Sequence, residues 1–288
     1  VSKVEKSQEK AGYCLLYTAA RFRNYEEQSD SMISVALKYY EKNGTKEQKT
    51  QAYYYMGCVM ESLNDSPRSQ WYYLKALNTG RKLKDYSLLG RIAARIAMLY
   101  TYQDAYEASL PYHKKALEYF ILEKDTLRQS YVLRDLGRTY SILMHEYPDS
   151  AIAYYDKAIS LATEEDQISF LGELGNVYIE AGMYDKAYEC LFYSLENWPE
   201  KEEPYYLYSS YGKLHYLMGN MDSSFHYLTK SLERPDSGKK LDAYYYLIQI
   251  AKSEKKNLDA LNDKYIELLE ESMTRTRTDV IAKIDKLY

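Results

Sequence analysis

Apolar residues recur along this chain at the spacing of α-helices. Leu171 and Leu174 are three residues apart, and Ala187 and Leu191 are four apart on the other side of Gly182. Residues with this spacing share one face of a helix, so each helix would bury a single apolar stripe. The segment therefore predicts two amphipathic helices joined by a turn at Gly182.

This two-helix unit recurs seven times along the chain. One marker in each first helix repeats every 36 to 40 residues, at Tyr17, Gly57, Ala97, Gly137, Gly175, Gly212 and Ile248. A second marker, late in each second helix, repeats every 36 to 42 residues, at Ala36, Ala76, Ala116, Ala158, Ser194, Ser231 and Glu267. Because a single hairpin cannot bury both of its faces, the units are expected to stack into an all-α solenoid.

One unit carries the residues of a known repeat, at Leu174, Gly175, Tyr178, Gly182, Ala187 and Pro199. This pattern resembles the tetratricopeptide repeat (TPR) family, and the resemblance extends from about residue 10 to residue 271. It implies a right-handed superhelical TPR solenoid of about seven helix-turn-helix repeats plus a C-terminal helix. The lengthened units resemble those in the TPR sensor domains of bacterial membrane-anchored regulators.

The pattern predicts two regions, a TPR superhelix over residues 1–271 and a C-terminal helix over 272–288. The second region has an apolar stripe flanked by basic residues, formed by Val280, Ile281, Ile284, Leu287 and Tyr288 with Arg275, Arg277, Lys283 and Lys286. It is either a cap that covers the last hairpin or a stalk that leads towards a membrane, as in the regulators named above. A stalk would make this chain a domain cut out of a longer protein, and the start at Val1 without Met indicates a processed or trimmed polypeptide.

Composition narrows the classes of partner. The net charge is −4 and no run of Lys or Arg stands out, so we expect no nucleic-acid contact by this chain. No apolar stretch reaches the roughly 20 residues of a membrane span, so any membrane tether would run through the C-terminus. The three cysteines, Cys14, Cys58 and Cys190, are too far apart along the chain to indicate a zinc site or a disulfide framework.

No motif for catalysis is found. The four histidines have no metal-binding spacing, and His113 and His215 fall on positions predicted to be core. There is no Gly-rich phosphate loop and no nucleophile elbow. We therefore expect no enzyme activity, no cofactor and no metal.

The candidate site is a groove. In the TPR family the first helices line the concave surface, and the resemblance places there Tyr54, Arg91, Arg95, Tyr131, Arg134, Arg138, Asn176, Tyr206, Lys213, Tyr216 and Tyr245. The four arginines form two pairs at i,i+4 in adjacent units and predict a basic patch for carboxylates or phosphates. The alternative is that these arginines pair with acids such as Asp135 and that the tyrosines are ordinary packing.

The carboxylate clamp of chaperone-binding TPR proteins is matched only in part. Arg91 and Arg95 fit its last pair, but Cys14 and Thr18 stand where Lys and Asn are required. We therefore expect a different protein or peptide ligand.

The leading hypothesis is the extracytoplasmic, periplasmic sensor domain of a bacterial membrane-anchored signalling or transcription regulator. The alternatives are a freestanding TPR scaffold, which would be cytoplasmic, and an enzyme with a site in the groove.

Overall fold

The computed structural model describes residues 3–143, 149–199, 203–233, 240–255 and 257–285, with side chains described within 6–273. Every regular element in these residues is an α-helix, so the all-α prediction is confirmed. The helices are α1 (Lys3–Arg23), α2 (Asp30–Asn43), α3 (Lys46–Ser62), α4 (Ser66–Gly80), α5 (Tyr86–Tyr102), α6 (Tyr106–Glu123), α7 (Thr126–Ile142), α8 (Ser150–Leu161), α9 (Glu164–Glu180), α10 (Tyr184–Glu196), α11 (Tyr205–Leu217), α12 (Met221–Ser231), α13 (Leu241–Ser253) and α14 (Asp259–Asp285).

The helices pack as consecutive pairs, α1 with α2 through α13 with α14. We call the first helix of each pair the A helix and the second the B helix. The chain forms two compact units, unit 1 over Val1–Ala162 and unit 2 over Thr163–Tyr288. Within each unit the B helix of one pair also packs on the A helix of the next, which gives the predicted stack of hairpins.

Side-chain caps begin four of the A helices. The oxygens of Thr45, Asp85, Asp125 and Thr163 each accept a hydrogen bond from the backbone N–H three residues later, at 2.9 to 3.3 Å. Each cap satisfies one of the backbone donors that a helix N-terminus leaves open. The caps are 38 to 40 residues apart and so follow the predicted period.

Four of the turns inside the pairs share one geometry. Asn64, Asp104, Gly182 and Gly219 have φ between 57° and 82°. In each turn the next backbone N–H donates to the carbonyl five residues earlier, at 2.8 to 2.9 Å. Such a helix end needs one left-handed residue, which glycine provides without the steric cost of a Cβ. The turn predicted at Gly182 is confirmed.

Four of the A-helix markers are glycines, and a B-helix side chain lies directly on each of them. A Cβ added at Gly57 would lie 2.5 Å from the ring of Tyr73, and one at Gly137 would lie 2.7 Å from the ring of Tyr155. In unit 2 the equivalent contacts are Gly175 with Leu191, at 2.6 Å, and Gly212 with Leu228, at 2.7 Å. Close approach of the two helices therefore depends on this position in these four hairpins.

Two markers of the terminal units are wrong. Tyr17 is 38% exposed, whereas Cys14, one helical turn earlier, is 1% exposed. The loop between α1 and α2 is longer than the loop between α3 and α4, which shifts the buried position of α1 towards its N-terminus. In α14 the marker Glu267 is exposed and pairs with Lys264, and the buried residue is its neighbour Leu268.

The division of the chain at residue 271 stays a prediction. Helix α14 continues through Glu271 to Asp285 without a break. The side chains of the predicted C-terminal stripe lie outside the described residues. In the part of the chain that is described, no helix combines the length and the apolar character needed to cross a bilayer.

Candidate binding site

Unit 1 contains a cavity of about 290 Å³ among helices α3, α5, α6 and α7. The charged side chains that line it are Arg91, Arg95, Arg128, Arg134 and Asp135, so four cations face one acid. The remaining lining residues are apolar or aromatic: Tyr54, Ala94, Met98, Phe120, Tyr131 and Val132. The cavity therefore combines positive charge with apolar walls.

The repeat period explains where the cavity forms. Tyr54, Ala94 and Arg134 are 40 residues apart and occupy the same position of three successive A helices, α3, α5 and α7. Ala94 carries only a methyl group between two long side chains, which leaves a gap in the row. Arg91 and Arg95, one turn apart on α5, border that gap on the same helix face.

Arg95 is held by an internal network. Its Nη1 donates to Glu61 Oε1 at 2.9 Å, and Glu61 Oε2 accepts from the hydroxyl of Tyr73 at 2.7 Å. Burial alone would lower the pKa of the guanidinium, but Glu61 and then Tyr73 outweigh it and raise that pKa above its ordinary value. Arg95 therefore lines the cavity as a charged side chain whose charge is neutralised by Glu61.

Arg134 and Arg138 share one carboxylate. Arg134 donates to Asp135 Oδ1 from Nε at 3.2 Å and from Nη2 at 2.8 Å, and Nη1 of Arg138 lies 3.7 Å from the same oxygen. The fourth lining arginine, Arg128, is paired with Asp125. For these arginines the predicted pairing with neighbouring acids is present.

Arg91 differs from the other lining arginines. Its Nε donates to the carbonyl of Ser87 at 3.4 Å, and its guanidinium lies 5.2 Å from the ring centroid of Tyr54. Among the described residues, no carboxylate lies within ion-pair distance of Arg91. The cavity therefore presents one half-buried guanidinium, whose neighbours in the described residues are a carbonyl dipole and an aromatic face rather than an acid.

The two predicted tyrosines of unit 1 are parts of the cavity wall. Tyr54 is only 3% exposed, and burial, followed by the neighbouring Cys58, raises the pKa of its hydroxyl, so it stays a neutral phenol. The guanidinium of Arg134 lies 5.5 Å from the ring of Tyr131. Tyr54 is thus more deeply buried than a residue on an open groove would be.

Three of the five predicted residues of unit 2 lie around the ring of Tyr246. Lys213 Nζ binds Glu180 Oε1 at 2.6 Å, and Tyr216 and the 47% exposed Tyr245 each pack 5.1 Å from the ring of Tyr246. The other two candidates both lie beside Gly172: the amide of Asn176 donates to its carbonyl, and the hydroxyl of Tyr206, whose ring packs edge-on against Trp198, would lie 3.4 Å from a Cβ added there.

The sequence indicated Asp135 as an acid that pairs with the predicted cations, but two further acids, Glu61 and Glu180, were missed. Glu61 precedes Arg95 by 34 residues, and Glu180 precedes Lys213 by 33, so each acid lies on the preceding A helix. An acid placed about one period before a cation was the signal that could have found both pairs. The apolar wall residue Phe120 was also missed, because it comes from a B helix.

The histidines have structural positions. His113 and His215 are buried as predicted, and burial lowers the pKa of each imidazole. His145 lies outside the described residues. Within the described part of the chain, no three or more His, Cys, Asp or Glu side chains are grouped so that they could hold a metal ion.

No protein-family model matches the chain, and no curated protein matches it. Several solved structures are similar in fold. A tetratricopeptide repeat protein from Parabacteroides merdae is 14% identical with a TM-score of 0.63, over 92% of this chain and 99% of the other. The quorum sensor NprR from Bacillus thuringiensis, without ligand, is 16% identical with a TM-score of 0.66, over 87% of this chain and 72% of its own.

The Pseudomonas aeruginosa protein PilF is 16% identical to this chain, with a TM-score of 0.62, over 85% of this chain and 99% of its own. At these identities the likeness concerns the fold. The hairpin packing, the repeated caps and turns, and these similarities lead to one conclusion: the chain is a TPR-repeat protein by fold.

Proposed function

We propose that this chain is a non-catalytic TPR module that binds a protein or peptide segment, and that the cavity of unit 1 is one of its contacts with that partner. The observation that carries the proposal is Arg91, a half-buried cation in a cavity with no carboxylate partner among the described residues. Ligand sites occupy about 300–1,000 Å³, so a cavity of about 290 Å³ fits one side chain or one chain end of a partner.

A peptide-display selection on the purified chain tests this function. We expect enriched peptides which, once synthesised, bind with a dissociation constant in the micromolar range, and we expect Arg91→Gln to weaken their binding. Arg68→Gln is the matched control, because Arg68 is an exposed arginine of α4 that pairs with Asp65 outside the cavity. Failure to enrich any binding peptide would contradict the proposal.

We further propose that the module is the extracytoplasmic sensor domain of a bacterial membrane-anchored regulator. Two observations support this: the lengthened repeats, and the likeness in fold to NprR, which is itself described as a quorum sensor. The competing hypothesis is a freestanding cytoplasmic scaffold.

Fractionation of the native cells together with the full reading frame separates these two hypotheses. The sensor hypothesis expects the protein in the membrane fraction, cleaved by added protease once the cell envelope is permeabilised. It also expects an apolar segment of about 20 residues in the reading frame. A soluble cytosolic protein without such a segment would establish the scaffold instead.

A further inference from the structure

Among the cationic side chains that line the cavity of unit 1, Arg91 is the one without a carboxylate partner in the described part of the chain. Arg95 is neutralised by Glu61, and Arg134 by Asp135. Among the described residues, Arg91 contacts the Ser87 carbonyl and the Tyr54 ring but no carboxylate. A half-buried guanidinium without a counter-ion loses hydration that a ligand's anion can restore, and a carboxylate matches its planar fork with two parallel hydrogen bonds.

The side chains that surround Arg91 determine which kind of group should carry the anion of the ligand. Met98, Phe120 and Val132 offer apolar surface to the cavity. A small hydrated anion such as inorganic phosphate would leave this surface against water, whereas an apolar or aromatic group would cover it. The cavity therefore favours an amphipathic anion over a mineral one.

The charge of the ligand is limited by Asp135. This carboxylate also lines the cavity and already accepts hydrogen bonds from Arg134. A second negative charge on the ligand would lie in the same cavity as Asp135, where like charges repel. A single negative charge on the ligand matches Arg91, the one lining guanidinium for which the described residues supply no acid.

We infer that the cavity is a subsite for a single carboxylate carried on an apolar or aromatic body, with Arg91 as its charge partner. The inference rests on the proposed function and names the chemistry of its ligand. Such a carboxylate is either the chain end of a peptide with an apolar last residue or a free aromatic acid, and the two sources are separated by experiment.

Calorimetric titration of the purified chain tests the inference with defined probes. The probes are 3-phenylpropanoate, its neutral amide, inorganic phosphate, and one short peptide ending in Phe with either a free or an amidated C-terminus. We expect each carboxylate to bind at least tenfold more tightly than its amide and more tightly than phosphate. The peptide acid binding more tightly than 3-phenylpropanoate identifies a peptide end as the source, and the reverse order identifies a free acid.

Two variants locate the binding. Arg91→Gln should weaken binding of the carboxylates at least tenfold and leave the amides unchanged, whereas Arg68→Gln should change neither. Ala94→Leu, which fills the gap without altering charge, should also block the carboxylates. Circular dichroism on both cavity variants shows whether they are folded, and the unchanged amide binding of Arg91→Gln is a second control.

Equal binding of acids and amides, or carboxylate binding that survives Arg91→Gln, overturns the inference. Display-selected peptides whose binding needs Arg91 but no carboxylate would leave the proposed function standing while this inference fails. Binding of 3-phenylpropanoate through Arg91, with no peptide bound, would support the inference and contradict peptide binding.

Discussion

At the scale of single residues, the structure depends on small side chains placed under large ones. The ring of Tyr73 is fully buried on Gly57, and its hydroxyl is tied to Glu61 at 2.7 Å. The ring therefore cannot move away from an added methyl group without breaking that hydrogen bond. The same residues support Arg95, so hairpin packing and the cavity wall are linked.

Gly57→Ala should destabilise the protein, although alanine is the better helix former. A Cβ at this position would lie 2.5 Å from the Tyr73 ring, and overpacking of this kind costs about 1–3 kcal/mol. Gly12→Ala is the matched control, because its Cβ would be 3.7 Å from the nearest atom and should add about 0.5–1 kcal/mol of stability. Urea unfolding measures both, and two stabilising substitutions would contradict this packing.

His113 makes the stability depend on pH. The side chain is buried, its Nδ1 has no hydrogen-bond partner among the described residues, and burial lowers its pKa while Asp135 opposes this in part. Because the unfolded chain binds a proton at a pKa of about 6.5 and the folded chain only at lower pH, stability should be lost as the pH falls below about 6.5.

His113→Leu should therefore stabilise the protein more at pH 5 than at pH 7.5. Leucine already occupies the equivalent B-helix position at Leu191 and Leu228. Urea unfolding at the two pH values measures the difference, with His226→Gln as an exposed control that should change little. An equal effect of His113→Leu at both pH values would show that protonation of His113 does not contribute.

At the scale of the element, each hairpin is defined by what begins and ends its A helix. Asp85 caps the start of α5, and Asp104, in the left-handed conformation, follows its end. An equivalent cap occurs one period later in the chain, and an equivalent left-handed residue occurs one period earlier. Polar caps and left-handed turns are local, so they can be read from sequence once the period is known. The cap and turn together determine the length of the helix that carries Arg91 and Arg95.

Asp85→Ala should cost about 1 kcal/mol of unfolding free energy, because the backbone N–H of Leu88 loses its acceptor. Asp149→Ala is the control, since Asp149 occupies the N-cap position of α8 without a side-chain cap bond and should change stability by less than about 0.5 kcal/mol. Thermal or urea unfolding measures both. Equal losses for the two variants would contradict a specific role of the Asp85 cap.

At the scale of the whole molecule, the chain consists of two compact units built from the same hairpin. The hairpin was predictable because the same packing of a large side chain on a small one, such as Tyr155 on Gly137, recurs along the chain. The markers of the first helices and those of the second helices both show its period. The terminal units were the least predictable, because a longer loop displaced the buried position from Tyr17 to Cys14.

The site was predictable only in part. The period placed Arg91 and Arg95 on one face of α5, but a sequence does not show which of two similar arginines meets an acid. That depends on lateral distances between helices, such as the 2.9 Å between Arg95 and Glu61 on α3. The gap at Ala94 likewise follows from the sizes of the side chains at the same position of three successive hairpins. No sequence motif marks such a gap.

A crystal structure of the chain with 3-phenylpropanoate would show whether Arg91 binds the carboxylate of a ligand. We predict the carboxylate at about 2.7–2.9 Å from the guanidinium of Arg91, with the phenyl ring against Met98 and Phe120. The account is contradicted if the acid binds elsewhere, or if Arg91 pairs with a carboxylate of the protein and the cavity holds no ligand.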